Sequence, residues 1–389
     1  MSVSTMLKPE NLKDLASMIQ DAGSADHTLV PTGGATATSI GNRGSDNARV
    51  LDLTALSGVT SYQPADLTVS VAAGTRVSEL FAELATNGQE LPIDVPFPET
   101  ATIGGLVASG FAGSRRLGSG TLKDLILGCT YVRGDALVAK AGGSVVKNVS
   151  GFEIPRLLHG SWGSLAVLAS INFKVTPKPK FEVTLTWPVD TFAPANQAAH
   201  DLRGTLPSVT AIDVDRNGNE VRMNVRLMGR PGALTAQIDD LKNQFGDLEQ
   251  LEAEASRTFW QQRSDRLAGA GEDVQVVLTT RPRFIGEAVE RSLERLDICG
   301  QDGTVTVSPG VGSARIRFNP EKLKGEAFWP QLDSASLPGT ASAIVEFAPD
   351  SWKQDIDVWG TQPGGIDVMR SIKAEFDPRN VLNRGRLFI

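Results

Sequence analysis

The sequence predicts an α+β chain in two domains, and three observations carry that reading. The chain has 389 residues, and domains run to about 100–200 residues each, so two units are expected. Strand-like and helix-like periods interleave along it, which fits an α+β layer. Its texture changes at Pro-Lys-Pro-Lys, residues 177–180, from a half rich in Gly, Ala, Ser, Thr and Val to one with longer alternating segments. The expected domains are 1–178 and 179–389.

Each element has a local reason. "LKPENLKDLASMIQDAG" reads as an amphipathic helix entered through Lys8-Pro9-Glu10, with Leu12, Leu15, Met18 and Ile19 as its apolar stripe. "HTLVPTGG" and "NARVLDLTAL" are short strands. "LTVSVAAGTRVSELFAELATNGQELPI" reads as strand, glycine turn and helix, with Val77, Leu80, Phe81 and Leu84 facing inward and Asn87-Gly88 closing it. "LKDLILGCTYVRGDALVAKAGG" is two strands about Gly134-Asp135, and "LAVLASINFKVTPKPK" a long strand stopped by Pro177 and Pro179. Beyond it, "FEVTLTWPV" and "EVRMNVRLMG" alternate like strands with one exposed face. "ALTAQIDDLKNQFGDLEQL" and "FIGEAVERSLERLDI" read as helices, and "DVQVVLTTRP", "ARIRFNP" and "ASAIVEFAP" as further strands. No repeat of fixed period is visible.

Composition excludes several functions. A net charge of -7 with no long basic tract argues against nucleic acid. No apolar run approaches the ~20 residues of a membrane span, and the N-terminus lacks a basic-then-apolar leader. Cys129 and Cys299 lie far apart without a CxxC pattern, as buried thiols of a reducing compartment would, so the Asn148-Val149-Ser150 sequon is expected to be idle. His27, His159 and His200 are unpaired at metal-ligand spacings, so no metal site is expected. Neither a GxSxG elbow nor a GxxxxGK[ST] loop is present. Gly33-Gly34 and Gly104-Gly105 do not fit GxGxxG, so a Rossmann site is not supported.

Small residues concentrate instead in three segments: "PTGGATATSIG" from Pro31, "ATIGGLVASGFAG" from Ala101, and Ala141 to Gly163. Such runs let backbone N–H groups approach an anion closely. Their order resembles the FAD-binding domain of the vanillyl-alcohol-oxidase-type (PCMH) flavoproteins. "GGSVVKNVSGFEIPRLLHGSWGSLAVL", "GQELPIDVP", "GSRRLGSGTLKDLILG" and the terminal "MRSIKAEFDPRNVLNRGRLF" resemble, more narrowly, the E-subunit family of bacterial glycolate oxidases. The likeness covers roughly the first 180 residues and the last thirty. "FWQQRSD" and "DVWGTQPGG" are its best anchors between.

The resemblance implies two α+β subdomains with FAD between them, then an α+β, ferredoxin-like cap whose last segment, about 366–389, returns towards the flavin. By position, Thr32, Gly33, Gly34, Ala35 and Thr36 would form a first pyrophosphate cradle. Thr102, Gly104 and Gly105 would form a second, with Ala108, Ser109 and Gly110 packed beside the cofactor. Gly163 and the backbone near Val167 would lie at the adenosine side, and Asn383 would return towards the flavin. Two departures stand out: Ala35 occupies a position where many relatives carry a third glycine, and Arg384 replaces a proline, which should loosen that turn.

Individual side chains carry further expectations. His159 reads as a helix-end histidine with a local hydrogen bond. No histidine matches a flavin-attachment motif, so FAD is expected to be noncovalent. Lys147 is either solvated or packed into the cofactor domain, and Gly151 permits close packing. Arg115 and Arg116 either offset pyrophosphate charge or face solvent or a partner, and the second is expected because backbone N–H groups hold the pyrophosphate in this fold. Arg281, Arg315 and Arg317 are candidates to grip a substrate carboxylate, against the ordinary reading of surface arginines.

The resemblance implies an FAD-binding subunit of a glycolate-oxidase-like complex, taking part in oxidation of a small 2-hydroxy acid (glycolate to glyoxylate) and in electron relay. Its partners would be a larger flavin subunit and an iron–sulfur subunit, in the cytoplasm or peripheral to the inner membrane through the complex. After residue 180 the chain has only His200, whereas relatives that oxidise hydroxy acids themselves often place metal-binding histidines there. Two alternatives stay open: a self-sufficient FAD-dependent dehydrogenase or oxidase of D-lactate or an alcohol, and a structural subunit that has lost flavin.

Overall fold

The structure is a computed structural model that describes residues 6–45, 47–143, 152–269, 271–298, 302–322 and 328–387. Lys147, the sequon at 148–150, Gly151 and Cys299 lie outside the described residues.

Helix α1 (Leu12–Ser24) starts where Asn11 Oδ1 accepts from the N–H groups of Lys13 and Asp14, both at 3.0 Å. Leu15, Ile19 and Ala22 fall on one face at i, i+4 and i+7 and are buried. They pack in one core with Leu29, Leu51, Val381 and Leu382. Strands β1 (Thr28–Thr32) and β2 (Ala48–Asp52) pair in parallel. The C-terminal segment lies beside β1: Leu29 N–H donates to Val381 O at 2.8 Å and Asn383 N–H to Leu29 O at 2.9 Å. The chain's two ends therefore share one small layer.

A five-stranded antiparallel sheet follows. In chain order come β3 (Val59–Gln63), β4 (Thr68–Ala72), helix α2 (Val77–Ala85), the two-residue β5 (Gln89–Glu90) and helix α3 (Ile103–Ser109). Then come the short α4 (Arg116–Ser119), β6 (Ile126–Arg133), β7 (Val138–Gly142), α5 (Ile154–Leu158), β8 (Ala166–Lys174) and β9 (Thr176–Pro177), which pairs with β5. The sheet order is β3-β4-β8-β6-β7. Cys129 sits buried on β6, where desolvation pushes its thiol up to about 12.

The remaining strands form one eight-stranded antiparallel sheet. Its elements are β10 (Phe181–Pro188), α6 (Phe192–Thr205), β11 (Val209–Asn217), β12 (Glu220–Gly229), α7 (Pro231–Phe245), β13 (Glu249–Glu252) and α8 (Ala253–Leu267). They continue with β14 (Val274–Thr279), α9 (Ile285–Arg295), β15 (Gly303–Ser308), β16 (Ser313–Phe318) and β17 (Ser342–Phe347). The order is β13-β10-β12-β11-β15-β16-β14-β17. With each half's strands numbered one to four, this is 4-1-3-2 followed by 2-3-1-4, two ferredoxin-like halves joined edge to edge. The seam is short: Val214, Asp215 and Arg216 pair with Val307, Thr306 and Val305. The duplication lives in topology, where no sequence repeat announced it.

One face of this sheet is apolar and packs under α6, α7 and α9 through residues such as Leu185, Ile212, Val225, Val276 and Ile316. The opposite face, expected from the alternation of β10 and β12 to be exposed, is buried. Glu182, Thr184, Asp213, Asn224 and Arg226 all point from it into the molecule with little exposure. Polar side chains are tolerated there because they satisfy one another. Helix α8 lies across them: Trp260 Nε1–H donates to Thr184 Oγ1 at 2.8 Å, Ser256 Oγ–H to Glu182 at 2.8 Å and Arg263 to Asp213 at 2.9 Å. Arg226 reaches out of the sheet to Asp94 at 2.7 Å, and Ser114 donates to Asp213. These bonds fix the eight-stranded sheet against the N-terminal half.

Candidate functional site

The three small-residue segments meet. Gly33 sits so close to Thr102 that any Cβ there would collide with Thr102 Oγ1, so the first segment stacks on the second only because it lacks a side chain. The third segment is pinned to the second by Gly160 N–H to Val107 O at 3.0 Å and Trp162 N–H to Ala108 O at 2.8 Å. Between them opens a groove, a concave setting of the kind that takes a small-molecule cofactor. Thr32, Gly33, Gly34, Ala35 and Thr36 line it together with Thr102, Gly104, Gly105, Ala108, Ser109, Gly163, Val167 and Asn383. Gly110 lies instead in an adjoining cleft.

The groove's chemistry suits an anionic ligand. Among the described residues, the backbone N–H groups from Gly33 to Thr38 find no protein acceptor. Six successive unpartnered donors along a turn make a concave anion site. Opposite them Asn383, held at φ 47°, donates from Nδ2 to Trp162 O at 2.6 Å, while its buried Oδ1 has no partner among the described residues. Arg386 donates from Nη2 to Ala37 O at 2.6 Å and keeps a buried Nε without an acceptor. Burial, with no carboxylate paired to it among the described residues, pulls this guanidinium down to about 10. A pyrophosphate bearing a polyhydroxylated arm would satisfy all three sets of atoms.

Ala35 adopts φ 58°, in the left-handed region. The alanine is tolerated, at a strain of roughly 1–2 kcal/mol. Ala35→Gly should remove it, offset by about 0.4–1 kcal/mol of extra unfolded-state freedom. The expected result is a stability gain of about 0.5–1 kcal/mol in urea melts, with ligand affinity within a factor of about two. Gly105 is exposed to the groove, and a Cβ there would meet only Thr102 of its own turn, at 3.2 Å. Gly105→Leu is therefore expected to fold yet to fill the groove, weakening FAD binding roughly tenfold or more by flavin-fluorescence titration.

A family described as "FAD binding domain" matches residues 3–142, and one described as "FAD linked oxidases, C-terminal domain" matches residues 359–387. Both matches are to domains of FAD-linked proteins. The FAD-domain match spans the first two small-residue segments, and the terminal match spans Asn383 and Arg386. The "Glycolate oxidase subunit GlcE" of Escherichia coli is 39% identical over 138 residues, which is 35% of this chain and 39% of that protein. The "Glycolate oxidase subunit GlcD" of Bacillus subtilis is 22% identical over 98% of this chain and 88% of its own length. A solved Acremonium strictum glucooligosaccharide oxidase, titled for "a novel flavinylation", superposes with a TM-score of 0.71 at 16% identity. It covers 97% of this chain and 89% of that one, and the fold is shared.

The other singled-out residues fall in different places. Arg115 is buried rather than facing solvent or a partner: it pairs with Glu90 at 2.5 Å, and its N–H donates to Asp94 at 2.8 Å. Arg116 and Arg315 line the cleft beyond the groove, and Arg317 lines a separate small pocket, so neither of the two strand arginines is a simple surface residue. Arg281 is exposed at the end of β14. His159 follows α5 with Nε2 buried and unpartnered among the described residues, and burial lowers its affinity for a proton. Arg384, expected to loosen the terminal turn, ties it instead to Asp26 and Asn380 O, both at 2.9 Å.

Sequence reasoning missed Arg386 and Trp162 as groove residues and expected Arg116 at the surface or a partner rather than in the cleft. A second basic residue two positions after Arg384, beside Asn383, was the available signal for the first. Trp162 sits at φ 54° between Gly160 and Gly163, both also left-handed. A bulky residue inside a glycine-dominated turn marks such a position. Arg116 follows another arginine inside an otherwise small and apolar stretch.

Proposed function

We propose that this chain is the FAD-carrying subunit of a glycolate-oxidase-like complex, taking part in oxidation of small 2-hydroxy acids and passing electrons onward. The observation that carries the reading is the run of N–H groups from Gly33 to Thr38, without protein acceptors among the described residues, sharing one groove with Asn383 and Arg386. The 39% identity to GlcE over 138 residues supports the choice of complex. Bound FAD would supply a two-electron acceptor for the hydride of a 2-hydroxy acid. The chain's own part is to hold the pyrophosphate with Gly33–Thr38, to offset its charge with Arg386 and to close the groove with Trp162. In this reading residues 1–178 form the cofactor domain and 179–389 the cap, with the segment from about 366 docked back on β1.

Noncovalent FAD belongs to the same proposal. Among the described residues, the groove lining includes no histidine, cysteine or tyrosine, and acid precipitation should release all the flavin to the supernatant. The partners proposed are a larger flavin subunit and a cysteine-rich iron–sulfur subunit. A cytoplasmic location, peripheral to the inner membrane through them, goes with that assembly; among the described residues no helix is long and apolar enough to cross a membrane.

Purification of the chain alone tests the reading. Flavin absorbance, or uptake of added FAD, is expected, with reduction by glycolate only when the two partners are present. Bleaching by glycolate or D-lactate without partners would replace the dependent subunit by a self-sufficient dehydrogenase. A colourless chain that cannot take up FAD would leave a structural subunit.

A further inference from the structure

Residues 33–45, between β1 and β2, form turns and bends without helix or strand. Among the described residues the loop holds itself by little: Ile40 N–H donates to Ala37 O at 3.3 Å and Thr38 Oγ1–H to Ala35 O at 3.1 Å. Two distant stretches grip it instead. The terminal turn is one: Asn42 N–H donates to Arg386 O at 3.0 Å, Ser45 N–H to Arg384 O at 3.3 Å, and Arg386 Nη2–H to Ala37 O at 2.6 Å. The other lies after β17. From the short helix Trp352–Asp355, Lys353 Nζ donates to Ser39 O. Asn42 joins the same stretch at two points, donating from Nδ2 to Asp357 Oδ1 at 2.9 Å and accepting at Oδ1 from Val358 N–H at 2.9 Å. Trp359, which walls the cleft beside the groove, donates from Nε1 to the same Arg386 carbonyl at 2.9 Å. Gly41, at φ 92°, must be glycine here, because a Cβ would press on Arg386 at 2.9 Å and on Trp359 at 3.4 Å. Ile40 is buried against Phe347 of β17.

The donors from Gly33 to Thr38 belong to this loop, and a loop with so few bonds of its own loses conformational freedom when it closes on a ligand. We infer that the cap preorganises the anion cradle, with Asn42 and Lys353 as positioning residues. Neither lines the groove. They act by holding the loop in shape before a ligand arrives. Arg386 joins the two ends of this arrangement: its side chain lines the groove, while its carbonyl receives Asn42 and Trp359. Affinity for the cofactor is then a joint property of the two halves of the chain. Occupancy of the groove and docking of the cap on the loop strengthen each other by the same factor. The inference rests on the flavin reading for the identity of the ligand.

The test compares the full chain with Asn42→Ala, which changes no charge. Without ligand, amide exchange at Ile40 and Ser45, whose own acceptors the variant keeps, should be about tenfold faster in the variant. In the parent, added FAD should slow exchange at Val358, on the cap. Stopped-flow binding of FAD, read by flavin fluorescence, should show association about tenfold slower in the variant and dissociation within about twofold, because fewer molecules present a formed cradle. Lys353→Met should behave alike, and Lys353→Arg should recover most of the loss. Unchanged exchange at Ile40 and Ser45, unchanged FAD association, or a loss carried by faster dissociation would each overturn the inference. If Asn42→Ala fails to fold by circular dichroism, the Lys353→Met and Lys353→Arg chains decide by the same two measurements. A parent that takes up no FAD sinks the flavin reading, and the ligand-free exchange comparison then decides whether the cap holds the loop.

Discussion

Arg263→Met is expected to destabilise the chain by about 3–5 kcal/mol, a large share of the 5–15 kcal/mol typical of a folded domain. Arg263 is fully buried on α8. Its Nε and Nη2 reach Asp213 at 2.9 and 2.8 Å, Nη1 is bonded to Asp215, and the guanidinium lies 5.6 Å from the ring centre of Trp260. These two carboxylates hold the guanidinium well above its ordinary range, although burial opposes them. Methionine fills similar space but leaves Asp213 and Asp215 facing each other without their cation. That uncompensated charge, rather than lost packing, sets the size of the effect. Urea unfolding should show a lower midpoint with unchanged slope. Adding Asp213→Asn and Asp215→Asn to the variant should return most of the loss. An Arg263→Met chain as stable as the parent would mean the lattice is not a structural clamp. FAD affinity of the folded fraction should hold within about twofold, because none of these groups lines the groove.

Lys373→Met is expected to bring a similar loss of stability, about 3–5 kcal/mol, but with FAD affinity lowered by roughly tenfold or more. Lys373 lies on the C-terminal helix Ile366–Phe376, buried, and its Nζ donates to Asp377 at 2.6 Å, Ser164 O at 2.8 Å and Leu382 O at 3.0 Å. Asp377 in turn accepts from the N–H groups of Val381 and Leu382, at 2.9 and 2.8 Å. One ammonium thus joins the residue after Gly163 to the residue before Asn383, two walls of the groove. Burial lowers the proton affinity of this lysine and Asp377 partly restores it, so the pair stands or falls together. Flavin-fluorescence titration of the folded variant checks the claim. Unchanged FAD affinity would show that Asn383 and Gly163 are positioned without the clamp.

The sequence made the N-terminal half readable because its cores are apolar and periodic. Leu15 and Ile19 repeat at helical spacing, β6 and β8 are long apolar runs, and the groove's small residues cluster in three plain segments. The cap was less readable because it packs polar against polar. Helix α8 turns Ser256, Trp260, Arg263 and Ser264 inward, a set that no apolar stripe reveals. Glu182 and Arg226 look like solvent-facing members of alternating strands until α8 and Asp94 are seen to cover them. Arg116 was read as facing solvent or a partner because a charged residue next to another charged residue suggests a surface, whereas here it is half-buried on a short helix packed against β11 and lines the cavity beside the groove. Asn383 was placed from its motif. Arg386 needed the backbone of Ala37 beside it to be noticed.

The doubled cap also divides labour. The half built from β10, β11 and β12 carries Asp213 and Arg226, which bond Ser114 and Asp94 of the N-terminal half. The half built from β14, β16 and β17 supplies Val277, Thr279, Ser313, Arg315, Ile344 and Glu346 to the cavity beside the groove. Anchor and cavity wall are therefore separate copies of one architectural unit, meeting along three residue pairs. Substitutions on the cavity-lining half leave the Asp213–Ser114 and Arg226–Asp94 joints untouched.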